Sequence, residues 1–262
     1  MWLETIKEEP ANDARSTPVL FVHGMSHAAW CWVEHFLPYF AKHGYVSHAL
    51  SLRGHGSSEG RKRLRWTPLA EYVSDVAQVV DQMERPPVLV GHSMGGMIVQ
   101  KYLESNGIPA AVLLASAPPQ GVVRATLRVA LRHPLVFMKA NLTMSMLPMF
   151  GTPQLAQEAL FSADMPEDKV RKYCSLLQDE SYRAYLDMMG LALPRPERVR
   201  TPILVMGAAD DCLISPNEVE ATARAYQTQA EVLPGMAHDM MLEAGWRAVA
   251  DRMLIWLNEL GL

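Results

Sequence analysis

The chain has 262 residues, of which 49% are hydrophobic and 20% charged, and its formal net charge is −4. This composition is ordinary for a globular protein, and the charge gives no argument for nucleic-acid binding or for an anionic membrane partner. The first residues lack the basic and apolar regions of a signal peptide, and no apolar run reaches membrane-spanning length. Three cysteines without metal-site spacing, Cys31, Cys174 and Cys212, favour free thiols. We therefore expect a cytoplasmic protein with no integral membrane association and no bound metal.

Short apolar runs alternate with helical patterns along most of the chain. The runs that predict strands are, in chain order, Val19–Val22, Val46–Leu50, Pro87–Val90, Ala111–Leu114, Ile203–Met206 and Glu231–Leu233. Apolar residues at helical spacing follow several of these runs, and the last such pattern extends from Trp246 to Leu260. Alternation of strands and helices predicts an α/β fold with a mostly parallel sheet covered by helices on both faces.

Residues 118–198 interrupt this alternation. The segment has no convincing strand, several prolines and many large flexible apolar side chains. We predict that it is an inserted helical cap, and that residues 1–117 and 199–262 form the core domain. Because methionine adapts to irregular apolar surroundings, Met144, Met146 and Met149 are candidates for the wall of a substrate pocket. The alternative is that these methionines only fill the core of the cap.

The motif with the clearest chemistry is Gly91-His92-Ser93-Met94-Gly95. It follows one predicted strand directly and precedes the helical pattern that begins at Gly96. Strand, Gly-x-Ser-x-Gly and helix together predict a nucleophile elbow, a sharp turn that exposes the serine hydroxyl at the carboxyl end of the strand. Ser93 is therefore the predicted nucleophile.

A serine hydroxyl needs a neighbouring base to remove its proton, and that base needs a carboxylate to orient it. His238 is the best candidate for the base, because it follows the last predicted strand and precedes the last helix. In this position it would lie above the carboxyl ends of the strands, close to Ser93.

Two adjacent aspartates compete for the role of the acid. Counting forward from Gly207 by the spacing Gly-x-x-Asp favours Asp210, whereas counting backward from Leu213-Ile214 favours Asp211. Neighbouring loop residues point in different directions, so only one of the two can reach His238. We select Asp211 and keep Asp210 as the alternative.

Two backbone N–H groups are candidates for stabilising the negatively charged oxygen of a reaction intermediate. One is that of Met94, the residue after the nucleophile, and the other is that of Met25, in the loop after the first predicted strand. His23 lies in the same loop, where we expect it to bond the loop backbone and not to act as a second base.

Five segments in this order resemble the α/β-hydrolase family of serine hydrolases over nearly the whole chain. They are Phe21–Gly24, Leu52–Ser58, Gly91–Gly96, Asp210-Asp211 and Gly235–Asp239. The resemblance implies a sheet of the eight-strand type with a helical cap. Parts of the chain resemble bacterial carboxylesterases and monoacylglycerol lipases, and other parts resemble plant methylesterases and hydroxynitrile lyases. The segment before Val19 is too short for two full strands and their turns, so we expect the first edge of the sheet to be trimmed.

The expected function is hydrolysis of a small apolar carboxylic ester through an acyl-enzyme on Ser93, without a metal or an organic cofactor. Other reactions on the same triad remain open, namely those of a thioesterase, an amidase, a carbon–carbon bond hydrolase or a hydroxynitrile lyase. An inactive receptor for a small ligand is a further alternative, although such receptors usually lose a triad member. The sequence does not determine the oligomeric state.

Overall fold

A central sheet of seven strands organises the molecule, for which a computed structural model describes residues 1–11 and 14–262. The strands are β1 (Thr5–Glu8), β2 (Val19–Val22), β3 (Ser47–Leu50), β4 (Val88–His92), β5 (Ala111–Leu114), β6 (Ile203–Ala208) and β7 (Ala230–Leu233). Their order in space is β1-β3-β2-β4-β5-β6-β7. Only β1 runs antiparallel to its neighbour, so the predicted, mostly parallel sheet is confirmed.

The first edge of the sheet differs from the eight-strand arrangement that the resemblance implied. One strand, β1, precedes β2, and it pairs with β3 in the register Thr5 opposite Leu50. In the described residues the sheet therefore has seven strands, with β1 at this edge.

Helices cover both faces. They are α1 (Trp30–Val33), α2 (Phe36–Lys42), α3 (Leu69–Val80), α4 (Met94–Tyr102), α5 (Val123–Arg132), α6 (Pro134–Thr143), α7 (Pro153–Leu160), α8 (Glu167–Leu176), α9 (Tyr182–Leu186), α10 (Pro216–Ala225) and α11 (Trp246–Glu259). Short turns of 3₁₀-helix lie at Arg61–Trp66, Leu147–Met149 and Pro196–Arg198, and a π-helical segment lies at Asp187–Leu191.

Alternate residues of the central strands pack into two separate cores. Val19 and Phe21 of β2 lie in the core that α1, α2 and α11 cover. Leu20 and Val22 of the same strand lie in the core that α3, α4 and α10 cover. Burial on both faces explains why these strands are continuous apolar runs in the sequence.

Helices α5 to α9 lie between β5 and β6, and this stretch, which the structure describes in full, contains no strand. The exact limits of the cap, 118 and 198, stay a prediction. Among residues 1–11 and 14–262, no helix combines the length and the apolar character that crossing a bilayer requires.

A buried carboxylate ties this helical segment to the core domain. Glu180 is 1% exposed and accepts hydrogen bonds from the Tyr72 hydroxyl at 2.6 Å and from the Ser26 N–H at 3.3 Å. His55 Nε2 lies 3.1 Å from the same carboxylate. Burying a carboxylate is unfavourable unless its oxygens are hydrogen-bonded, so these contacts fix where the two parts of the chain meet.

Candidate active site

The turn between β4 and α4 holds Ser93 in a strained backbone conformation, with φ 52° and ψ −118°. This geometry requires glycine on both sides. A Cβ atom at Gly91 would lie 2.5 Å from the carbonyl oxygen of Gly95, and one at Gly95 would lie 2.4 Å from that of Val22. The chain therefore turns within a space that only hydrogen can fill, as a nucleophile elbow requires.

Ser93, His238 and Asp211 form a continuous hydrogen-bonded chain. His238 Nδ1 lies 2.7 Å from Asp211 Oδ2, and His238 Nε2 lies 2.9 Å from Ser93 Oγ. With its proton on Nδ1, His238 donates to the carboxylate and accepts from the serine hydroxyl. Asp210 is exposed, and its backbone N–H donates to the carbonyl of Met236. The structure thus places Asp211, and not Asp210, against His238.

The environment of His238 favours its protonated form. Burial alone would lower the pKa of His238, but the charge and hydrogen bond of Asp211, together with the charge of Asp239, raise this pKa above its ordinary value. A histidine supported in this way can accept a proton from Ser93 and hold it while an intermediate forms.

The backbone near Ser93 offers the two N–H groups that the sequence suggested. Met94 is the first residue of α4, so its N–H has no acceptor within the helix. Met25 lies in the loop after β2 and borders the same cavity as Ser93. His23 supports this loop, because its Nδ1 bonds the carbonyl of Gly24 at 2.8 Å and its Nε2 accepts the N–H of Leu52.

Three further buried polar side chains surround the triad and were given no role from the sequence. His92 Nε2 donates to the backbone carbonyl of His238 at 3.0 Å, and burial lowers the pKa of His92 to about 3. Asp239 is fully buried and lies 2.9 Å from His27 Nε2. These residues lie in or beside the motifs that contain His23, Ser93 and His238. Their contacts join residues far apart in sequence, so the motifs alone did not predict them.

The same cluster contains one group with metal-ligand geometry among the described residues. Ligand atoms of His92, His238 and Asp239 lie within 4.8 Å of one another. However, His92 Nε2 and both ring nitrogens of His238 are already engaged in hydrogen bonds within the protein. The donor set therefore fits an organised hydrogen-bond network better than a metal site.

A cavity of about 100 Å³ opens beside Ser93 under the helical segment. Its apolar wall includes Val122, Val129, Phe137, Met146, Met149 and Leu213. Met144 does not border it, since this residue ends α6 in a left-handed conformation and the following turn, Leu147–Met149, lies against the cavity instead. Of the three methionines singled out from the sequence, the structure places two at the cavity.

Comparison with known proteins gives a family match over most of the chain. A family model described as the alpha/beta hydrolase family matches residues 19–252. A monoacylglycerol lipase from Mycolicibacterium smegmatis is 28% identical, and the alignment covers 95% of this chain and 90% of that protein. A non-heme chloroperoxidase from Streptomyces lividans is 35% identical, but the match spans only 39% of this chain and 37% of that enzyme.

Solved structures show the same fold across nearly the entire chain. A monoacylglycerol lipase from Paleococcus ferrophilus superposes with a TM-score of 0.75 at 21% identity, covering 99% of this chain and 100% of the other. An esterase from Exiguobacterium antarcticum superposes with a TM-score of 0.76 at 20% identity, covering 98% and 95%. The expected α/β-hydrolase fold is therefore confirmed.

Proposed function

This chain belongs to the alpha/beta hydrolase family, and on that premise we propose that it is a serine hydrolase that cleaves carboxylic esters with apolar acyl groups. The observation that carries the proposal is the position of Ser93 Oγ, 2.9 Å from His238 Nε2, with Asp211 2.7 Å from the other ring nitrogen. The similarity to a monoacylglycerol lipase over 95% of the chain supports an ester substrate.

In the proposed reaction, Ser93 Oγ attacks the ester carbonyl while His238 Nε2 takes the hydroxyl proton. The N–H groups of Met25 and Met94 stabilise the oxyanion that develops. His238 then gives its proton to the departing alcohol, which leaves an acyl group on Ser93. Water attacks this acyl-enzyme with His238 again as the base, and the carboxylic acid is released. Asp211 stabilises the imidazolium form of His238 both while Ser93 is acylated and while the acyl-enzyme is hydrolysed.

The apolar wall of the cavity supports the choice of acyl group. Its lining is mostly hydrophobic, and histidines and Ser93 form its polar part at the triad. The polar side chains that line it on the helical segment are engaged within that segment, since Tyr185 bonds Thr126 and Asn141 accepts from Tyr182. Such a cavity favours a substrate whose acyl chain is apolar and whose polar part is the reacting ester itself.

Ser93→Ala tests the mechanism, with Ser57→Ala, a substitution at an exposed serine, as the matched control. We expect Ser93→Ala to lose ester hydrolysis by about 10³-fold or more and to resist labelling by a fluorophosphonate probe. The control should keep both properties. Substantial hydrolysis by a folded Ser93→Ala variant would refute the proposed mechanism.

A panel of substrates separates esterase action from the other reactions open to the same triad. An ester, a thioester and an amide of one acyl group should be hydrolysed with the ester preferred. A preference for the thioester or the amide would assign the enzyme to that class. Absence of both turnover and probe labelling in the unmodified protein would favour a ligand receptor.

A further inference from the structure

We propose that His27 and Asp239 are a hydrogen-bonded pair that positions the oxyanion-stabilising N–H of Met25. The proposal rests on the proposed function, because it assigns a positioning role within that reaction. Neither residue contacts Ser93 Oγ or His238 through a side-chain hydrogen bond in the structure, so both would act through the loop that they hold.

The hydrogen bonds of His27 determine where its protons are. Its Nδ1 lies 2.8 Å from the backbone carbonyl of Met25, which can only accept, and therefore this nitrogen must donate. Its Nε2 lies 2.9 Å from Asp239 Oδ2. An ionised Asp239 also accepts, so the pair is an imidazolium with a carboxylate. The side chains of His27 and Asp239 are 2% and 0% exposed.

The neighbouring groups support this charge assignment. Burial alone would lower the pKa of His27, but the charge and hydrogen bond of Asp239 raise it above its ordinary value. Burial alone would raise the pKa of Asp239, but the charge of His27 holds it below its usual range. The ring of Trp30 stacks on His27 with 5.3 Å between centroids, an arrangement that favours a cation.

His27 contacts the peptides on both sides of Met25, and it shares the Gly24 carbonyl with His23 Nδ1. Its backbone N–H donates to the carbonyl of Gly24 at 3.3 Å, and its Nδ1–H donates to the carbonyl of Met25. In a trans peptide the N–H points away from the carbonyl. Holding the Gly24 carbonyl therefore directs the Met25 N–H to the opposite side, and holding the Met25 carbonyl restricts rotation of the next peptide.

Asp239 connects this loop to the catalytic base. It follows His238 in the chain, and its own N–H donates to the carbonyl of Leu160 at 2.9 Å. Its Oδ1 has no hydrogen-bond partner within the described part of the chain, and His92 Nε2 lies 3.8 Å from it. One residue thus extends from the loop of the base to the loop of the oxyanion donor, which lies 212 positions away in sequence.

Two substitutions of Asp239 test whether the hydrogen bond to His27 is what matters. Asp239→Leu removes the acceptor at similar volume and should release His27 and the Met25 peptide. Asp239→Asn keeps a hydrogen bond, because its amide can donate to Nε2 of a neutral His27 whose Nδ1–H still reaches Met25. Glu243→Leu is the matched control, since Glu243 is a buried carboxylate of the same turn that bonds Ser162 and not the Met25 loop.

The readouts are kcat, KM and the preference for an ester over the corresponding thionoester. Sulfur accepts hydrogen bonds poorly, so this preference reports on the oxyanion donors themselves. We expect Asp239→Leu to lower kcat by about 10- to 100-fold, with little change in KM and a reduced ester preference, as for partial loss of one donor. Asp239→Asn should retain most of kcat and most of the ester preference of the unmodified enzyme. Glu243→Leu should change only thermal stability.

An unchanged ester preference in folded Asp239→Leu would overturn the proposal, and so would an equal loss in Glu243→Leu. If Asp239→Leu does not fold, His27→Phe decides under the same readouts, because it retains an aromatic ring but cannot donate to Met25. Failure of the proposed function has a different signature, since Ser93→Ala would then keep its hydrolytic activity.

Discussion

Asp211 contacts His238 with one carboxylate oxygen and holds its own loop with the other. Oδ2 lies 2.7 Å from His238 Nδ1, while Oδ1 accepts the backbone N–H groups of Leu213 at 2.8 Å and Ile214 at 2.9 Å. Because both oxygens of this carboxylate are hydrogen-bonded, its orientation towards His238 is set before any substrate binds.

The first prediction concerns the two adjacent aspartates. Asp211→Asn should lower kcat by up to about 10⁴-fold, because an amide would favour the wrong tautomer of His238 and would not support its charge. Asp210→Asn is the matched control and should have little effect, since Asp210 is exposed. Steady-state kinetics of both folded variants decide the matter, and the reverse ranking would reassign the acid to Asp210.

The second prediction concerns the pH dependence of kcat/KM. His238 must be neutral to accept the Ser93 proton, so activity should fall as the pH drops through the pKa of His238. Asp211 and Asp239 raise this pKa, and the midpoint of the acid limb should therefore lie above the ordinary histidine value of about 6.5. Asp211→Asn should move the midpoint of its residual activity downward. A midpoint below the ordinary value in the unmodified enzyme would contradict the prediction.

The third prediction concerns acyl-chain length. If the apolar cavity binds the acyl group, kcat/KM should rise with each methylene by at most about fourfold, equivalent to about 0.8 kcal/mol, until the cavity is full. Met146→Gln or Met149→Gln should weaken this preference more than it slows turnover of an acetate ester. Met144→Gln is the control, because Met144 does not border the cavity. A flat chain-length profile would argue that the acyl group binds elsewhere.

The fourth prediction concerns the tight packing of the elbow. Gly95→Ala should lower the free energy of unfolding by more than about 3 kcal/mol, because the added Cβ would lie 2.4 Å from one backbone oxygen and 2.5 Å from another. Gly107→Ala should be neutral or slightly stabilising, since nothing lies within 4 Å of the Cβ position there. Urea unfolding of both variants gives the comparison, and equal midpoints would show that the elbow can relax.

Local patterns predicted the six strands from β2 to β7, several of the helices that follow them and the position of Ser93, because each depends on residues close together in sequence. The edge strand β1, with mostly exposed residues, was not predicted. The choice between Asp210 and Asp211 needed the direction of two side chains in one loop, which spacing rules could not determine. The pairing of His27 with Asp239 joins opposite ends of the chain, and no local pattern indicates it. Met144 showed a related limit, since composition identified an apolar segment but not which of its residues border the cavity.

The edges of the sheet have a consequence for how the molecule behaves at high concentration. A free strand edge can pair with another chain, and short, charged edges resist this. β1 has four residues, with an ion pair between Lys7 and Glu9 beside it. The opposite edge, β7, is equally short, and Arg252 bonds the side chain of Glu231 with two nitrogens, each at 2.7 Å. Both edge strands of the sheet are therefore short and carry charged side chains, and neither is a good template for pairing with a strand of another molecule.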